Sequence, residues 1–187
     1  VETTTCDGYF VENCWFYQVY DTGVTHQCST GTNDRAQKNI RYLGNLIEYC
    51  HWGIEFYNAP YRDGSSFIVT TSDVHIAYNV VRNTGYGWGS VSKNRAERSQ
   101  GYCCHSLSDN FDELTEYNIF DRSAGQLLNL PTNAKEVQKR NLYIQYEGGR
   151  LGDLRGTVTE CKTDFAENIR KNWGDKEAVV VMIRKKD

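Results

Sequence analysis

Apolar residues along this chain follow two rhythms. In Cys14–Tyr20 (CWFYQVY) they crowd into an aromatic, extended run, and Asp21-Thr22-Gly23 behind it is a turn of the kind that closes a hairpin. Ala36, Ile40, Leu43, Ile47 and Cys50 then recur at spacings of three and four. That spacing predicts one apolar face of a helix, capped at Asn33-Asp34 and ending near Trp52-Gly53. SSFIVTTS (65–72) reads as a strand and TGYGWGS (84–90) as a glycine-rich bend. Beyond residue 110 the rhythm is that of strands. LTEYNIF, NLYIQYE, GTVTEC and AVVVMIR are β-rich, and Leu142, Ile144 and Tyr146 alternate with Tyr143, Gln145 and Glu147. One short helix is expected over residues 164–173, where Asp164 and Glu167 form a capping box. EGGR and RLGD supply turns, and neither an internal repeat nor a low-complexity tract stands out. The pattern predicts a mainly β protein with minor α content: a cystine-rich α+β unit followed by an antiparallel β-sandwich or barrel.

Composition sharpens the division. The 187 residues hold 21 Lys/Arg and 24 Asp/Glu. Residues 1–107 carry 8 and 10 of them, and residues 108–187 the remaining 13 and 14. A lightly charged, aromatic first part and a charge-rich second part predict two domains, 1–107 and 108–187, joined near Leu107-Ser108. The net charge of −3 with mixed signs gives no nucleic-acid footprint. No apolar run approaches the roughly 20 residues of a membrane-spanning helix. The start at Val1 suits a chain whose targeting segment has been removed. There is no Asn-x-Ser/Thr sequon.

Candidate chemistry centres on seven cysteines. Cys6, Cys14, Cys28, Cys50, Cys103 and Cys104 lie in the first 104 residues and predict three disulfides, with connectivity left open; Cys161 is the expected lone thiol. Disulfides persist in oxidising compartments, so the protein is expected to be secreted. In GYCCHS (101–106), Cys104 and His105 are strand neighbours that point to opposite faces, which argues against a nucleophile and its base. The cysteine gaps lack the close spacing of zinc ligands, and no metal or cofactor is expected. His26, His51, His75 and His105 share no ligand motif. KNRAER (93–98) and the terminal RKKD read as solvated basic stretches.

FIVTTSDVHIA (67–77) resembles the Ser-Thr-Ser strand of secreted ADP-ribosyltransferase toxins. That resemblance would give Thr70, Thr71 and Ser72 a role beside Glu113 or Glu116. The required arginine is poorly placed: Arg62 stands too near Thr71, and Arg41 falls inside the expected helix. No catalytic residues are assigned. A lectin-like binder using exposed aromatics such as Tyr86 and Trp88 is a further possibility.

The cysteine layout (Cys6, Cys14, Cys28, Cys50, Cys103, Cys104), the helix expected up to Cys50 and the cysteine-poor second half together resemble the dual-domain secreted-in-xylem effectors, the avirulence proteins of Fusarium wilt fungi. The resemblance implies a monomeric, non-enzymatic virulence protein. It would be secreted into the plant, bind host proteins and be detectable by an immune receptor.

Overall fold

A computed structural model of the chain describes residues 1–28, 35–58, 69–105, 111–130, 135–152, 157–161 and 178–184. The chain winds in coils of three short strands. The first coil is β1 (Glu2–Thr4), β2 (Asp7–Glu12) and β3 (Trp15–Tyr17). The second is β4 (Thr22–Cys28), β5 (Arg35–Leu43) and β6 (Leu46–Glu48), and the third β7 (Trp52–Asn58), β8 (Val69–Ala77) and β9 (Val80–Thr84). A single helical turn α1 (Trp88–Val91) and a 3-10 turn (Ala96–Arg98) interrupt the winding. It resumes with β10 (Gln100–His105), β11 (Phe111–Glu116) and β12 (Ile119–Ser123), then β13 (Gln126–Asn129), β14 (Lys135–Lys139) and β15 (Leu142–Tyr146). The last strands are β16 (Arg150–Gly152), β17 (Thr157–Cys161) and β18 (Ala178–Arg184).

Strands pair in parallel with their counterparts one coil away, giving three sheets: β1-β4-β7-β10-β13-β16, β2-β5-β8-β11-β14, and β3-β6-β9-β12-β15-β18-β17. We call these sheets A, B and C. The result is a three-faced parallel β-solenoid. Its core lies inside the coil, where each face contributes a stacked row: Val24, Ile54, Tyr102 and Leu128 from sheet A, Ile40 and Val74 from sheet B, and Ile47, Val81, Phe120 and Tyr143 from sheet C. Phe120 and Tyr143 stack with centroids 5.3 Å apart.

The corner between sheets B and C carries an asparagine ladder. Asn45, Asn79, Asn118 and Asn141 occupy the same position in successive coils, and each is buried. The Asn79 backbone N–H donates to Asn118 Oδ1 at 2.9 Å, and Asn79 Nδ2 donates to Asn118 Oδ1 at 2.9 Å and to the Tyr42 carbonyl at 2.8 Å. Asn118 repeats the arrangement on Asn141, at 2.9 Å and 3.0 Å. Cys14 takes the position in the first coil and joins the ladder through its N–H, which donates to Asn45 Oδ1 at 3.0 Å. The residue before each rung (Asn13, Gly44, Tyr78, Tyr117, Arg140) has φ between 51° and 67°. This left-handed turn breaks one strand and aims the next along another face.

Two sequence expectations are corrected. The sheets are parallel, so neither an antiparallel sandwich nor a hairpin at Asp21-Thr22-Gly23 forms; Thr22 begins β4 instead. The helix expected to end at Cys50 is two strands, β5 and β6. Ile40 and Tyr42 alternate inward, the positive-φ corner at Gly44 resets the phase, and Ile47 points inward again. Two strands of period two, offset by such a corner, imitate a helical spacing. Strands from both sides of the expected boundary share the sheets, with β13 paired to β10, β11 to β8 and β12 to β9. The repeat that composition did not disclose is the ladder, whose rungs lie 31, 34, 39 and 23 residues apart. The helix expected over 164–173 lies outside the described residues.

The interior also holds polar groups. His26 Nδ1 lies 2.9 Å from the Tyr42 hydroxyl, and Tyr102 donates its hydroxyl to Glu113, which also accepts from Thr115 at 2.9 Å. Burial pushes His26 down from 6.5 to about 3.

Two outcomes follow for stability. Asn118→Ala strips partners from Asn79 and from the Ile76 carbonyl, and in urea titration it is expected to cost about 3 kcal/mol; a loss under about 1 kcal/mol would refute the ladder's structural role. His26 stays neutral in the folded state but charges at 6.5 when unfolded. The unfolded chain therefore binds more protons between about 3 and 6.5, and stability falls as pH drops through that window. The His26 contribution lost between about pH 7 and about pH 4 is about 3 kcal/mol. Glu55, whose carboxyl is raised by burial, opposes this from 4.5 upward. His26→Gln should flatten the acid limb, and an unchanged limb contradicts the assignment.

Candidate functional site

Period-two alternation on β3 turns Phe16 inward and leaves Trp15 and Tyr17 outside, 67% and 52% exposed. They open a band of aromatic rings along the outer face of sheet C and the corner after it. The Trp15 and Tyr17 centroids lie 5.7 Å apart, and Tyr17 meets Tyr49 of the next coil edge-on at 5.6 Å. Trp15 Nε1 donates to Glu48 Oε2 at 2.8 Å, and Arg82 Nε donates to Glu48 Oε1 at 2.5 Å. The indole is thus tethered at its polar edge while its face stays open. Register places Glu48 beside Arg82, and Arg82 beside Asp121, in one outward row.

The segment between β9 and β10 extends the band. Gly87 and Gly89 lie against the backbone of Tyr49 and Tyr20, where a Cβ would collide with the Tyr49 and Tyr20 carbonyls, so only glycine lets the segment lie this close. This seats Trp88 against Tyr20, centroids 5.5 Å apart, with the indole N–H donating to the Gln18 carbonyl at 3.0 Å. Arg95 lies 4.6 Å over the Tyr20 ring and donates to the Tyr20 carbonyl at 2.7 Å. Farther along, Arg122 is held between Tyr86 at 4.1 Å and Tyr146 at 4.6 Å. On the other side of sheet C, Tyr78 and Tyr117 stack at 5.3 Å and Arg140 lies over Tyr117 at 4.9 Å.

The expected candidate residues fall elsewhere. Thr71 is buried in the interior, where its hydroxyl accepts from Gln37 Nε2 at 3.1 Å, and Glu113 is buried there too. Arg41 pairs with Asp73 at 2.8 Å on the outside, and Glu116 with His75 at 3.0 Å. Thr70 and Ser72 are half-buried, and Arg62 lies outside the described residues. The elements of a nicotinamide pocket are thus divided between the two sides of sheet B.

The histidines are equally dispersed. His51 is buried, with Nδ1 2.8 Å from Ser90 Oγ; burial, reinforced by Arg95, lowers it from 6.5 to about 4. Neither His51 nor His26 has the near-neutral pKa of a general base. The side chain of His105 lies outside the described residues. KNRAER is structural at Arg95, while Arg98 is exposed beside Glu97 at 3.8 Å. Among the described residues no three His, Cys, Asp or Glu side chains group as metal ligands, and no helix is long and apolar enough to cross a membrane.

Of the six cysteines expected to pair, Cys6, Cys14, Cys50 and Cys103 are spread over turns and strands of different coils. The side chains of Cys28, Cys104 and Cys161 lie outside the described residues. Cys103 shares an outward row of sheet A with Thr25 and Glu55, and burial raises its thiol well above the ordinary range. Burial also raises Cys50 from 9.0 to about 11, whereas Cys14 is exposed. Gly101–His105 of this stretch therefore belong to strand β10, with Tyr102 facing the core and Cys103 on the opposite face.

Tyr86 and Trp88 could be named from the sequence, but the rest of the band could not. Its signal is the alternation in Trp15-Phe16-Tyr17 read together with the ladder rungs, which show that residues 31 to 39 positions apart are neighbours. Comparison with protein-family models, curated proteins and solved structures finds no match.

Thiol reactivity checks this arrangement. At about pH 8, maleimide is expected to modify Cys14 in the native protein and to reach Cys50 and Cys103 only after denaturation. Mass-spectrometric mapping that finds Cys14 bridged to Cys6 or Cys50 is the contrary result.

Proposed function

We propose that this protein is a non-catalytic carbohydrate-binding module whose ligand lies along the outer face of sheet C. The carrying observation is the band of exposed rings Trp15, Tyr17, Tyr20, Tyr86 and Trp88, between 40% and 67% exposed and held by neighbouring rings and hydrogen bonds. Exposed apolar area gathered in one place marks a recognition surface rather than ordinary solvent-facing residues. Flat, oriented rings suit the C–H faces of sugars, and the adjoining Glu48, Arg82 and Asp121 suit hydroxyls, since charged groups make the stronger hydrogen bonds. Aromatic side chains also bind with little loss of conformational freedom.

The effector reading shares the idea of a binding protein without catalysis. Secretion, a plant host and an immune receptor draw no support from this surface. The ADP-ribosyltransferase reading draws no support from Thr71 and Glu113 inside the coil and Arg41 and Glu116 outside it.

A glycan array, followed by affinity measurement on the best hit, tests the proposal. Trp15→Ala and Tyr17→Ala are expected to weaken binding about 10- to 30-fold, with an unchanged circular dichroism spectrum. Tyr78→Ala, on the far corner, should leave affinity intact. An array without hits, or a Trp15→Ala protein that binds as the parent does, removes the carbohydrate reading.

A further inference from the structure

At the corner that follows sheet C, Arg122 turns with a left-handed backbone, φ 67°, and its side chain lies between rings from two other coils. Strand β12, which carries it, pairs with β9 on one side and β15 on the other. Tyr86 follows β9 and Tyr146 closes β15. The guanidinium is therefore covered from the coil before and from the coil after, at 4.1 Å and 4.6 Å to the ring centroids. Cation–π contact on both sides fixes the position and the plane of the group.

The other arginines along the band are occupied. Arg82 bonds Glu48 at 2.5 Å, and Arg95 bonds the Tyr20 and Gly89 carbonyls with Asp21 at 3.6 Å. Arg98 lies 3.8 Å from Glu97, and Arg150 donates to the Glu97 carbonyl at 3.1 Å. Arg122 has neither a hydrogen bond nor a carboxylate partner among the described residues. Its Nε is enclosed without an acceptor, so the half-buried side chain meets solvent through its two Nη groups. Asp121, next to it in sequence, stands in register with Arg82 instead. With rings over both faces, the guanidinium is approached at its edge, where paired N–H groups lie in one plane. That edge matches two oxygens of a carboxylate or a sulfate, and such a bond is stronger than one to a neutral hydroxyl.

We propose that Arg122 is an anion-binding subsite of the aromatic band, and that the glycan bound there is acidic, carrying a carboxylate or a sulfate on a sugar ring. The proposal rests on the carbohydrate-binding role of the band. Tyr86, 40% exposed, belongs to the band and to the clamp alike, which puts the guanidinium edge next to the surface that a sugar ring would cover. The rings serve any sugar face, whereas a fixed cation without a counter-charge favours the ligand that brings one.

Three hexasaccharides on one backbone serve as probes: cellohexaose, its form oxidised to carboxylates at the primary alcohols, and its form sulfated there. Affinities are measured on the full chain at about 50 mM and about 500 mM salt. At low salt at least one charged probe is expected to bind about tenfold tighter than cellohexaose, the scale of one charge-assisted hydrogen bond, and the tighter of the two identifies the anion. The advantage shrinks at high salt. Arg122→Gln is expected to remove it while leaving cellohexaose binding unchanged. Arg122→Lys, which keeps the charge without the planar fork, restores part of it. Trp15→Ala weakens all three probes alike. Charged probes that bind no tighter than cellohexaose, or a preference that survives in Arg122→Gln, overturn the anion subsite and leave the band as a surface for neutral sugars. Absence of binding by all three overturns the subsite as well, and the glycan array then decides the carbohydrate reading separately.

Discussion

Parallel strands wound coil upon coil bring equivalent residues of neighbouring coils to within about 4.8 Å of each other. At that spacing a buried amide at a corner can satisfy itself through like groups in the neighbouring coils together with a nearby carbonyl. Asn79 illustrates the constraint: its Oδ1 accepts from Asn45, its N–H and Nδ2 bond Asn118, and Nδ2 also reaches back to the Tyr42 carbonyl. An alanine at one rung would leave buried groups in two coils without partners, each costing about 1–3 kcal/mol. The ladder also holds the strained residue in front of each rung. Tyr78, Tyr117 and Arg140 have left-handed backbone angles, which cost side-chain-bearing residues roughly 1–2 kcal/mol apiece. That strain is tolerable because the rung beside it is held by buried hydrogen bonds.

The same stacking admits polar groups to the interior wherever a neighbouring coil provides the partner. His26 stacks on Phe56 at 4.7 Å and meets the Tyr42 hydroxyl, while Glu113 takes the hydroxyls of Tyr102 and Thr115. These groups join sheets A and B across the coil, so they do more than fill space: a slip of one coil against the next would separate donor from acceptor. The cost is acid sensitivity, since a histidine kept neutral by burial favours the unfolded chain once the pH drops below its ordinary value.

Much of the strand content was legible locally. β15 stands at Leu142–Tyr146, although Tyr143 rather than Leu142 and Ile144 faces the core and the strand is buried on both faces through Gln145, and β17 and β18 fall within GTVTEC and AVVVMIR. What a single coil does not display is its neighbour. The rungs Gly44-Asn45-Leu46, Tyr78-Asn79-Val80, Tyr117-Asn118-Ile119 and Arg140-Asn141-Leu142 share a pattern, yet the gaps between them run from 23 to 39 residues. The unequal lengths come from connections that the corners do not constrain, such as the segment carrying α1 between β9 and β10. Without the register, β5 and β6 blend into a helical spacing. The aromatic band was hidden for the same reason, because Tyr17 and Tyr49 touch only after the coils are superposed.

The band and the ladder are two consequences of one geometry. The corner that begins each strand of sheet C sets its phase, so that Phe16, Ile47, Val81, Phe120 and Tyr143 face inward and Trp15, Tyr17, Glu48, Arg82 and Asp121 face outward. A second left-handed residue near the end of the strand, at Gln18, Tyr49, Asn83 and Arg122, repeats the operation. It swings Tyr49 beside Tyr17 and Arg122 between Tyr86 and Tyr146. Each ring therefore inherits its orientation from a backbone that interior hydrogen bonds hold in place, rather than from its own limited contacts at the surface. A surface preorganised in this way loses little entropy when a ligand settles on it.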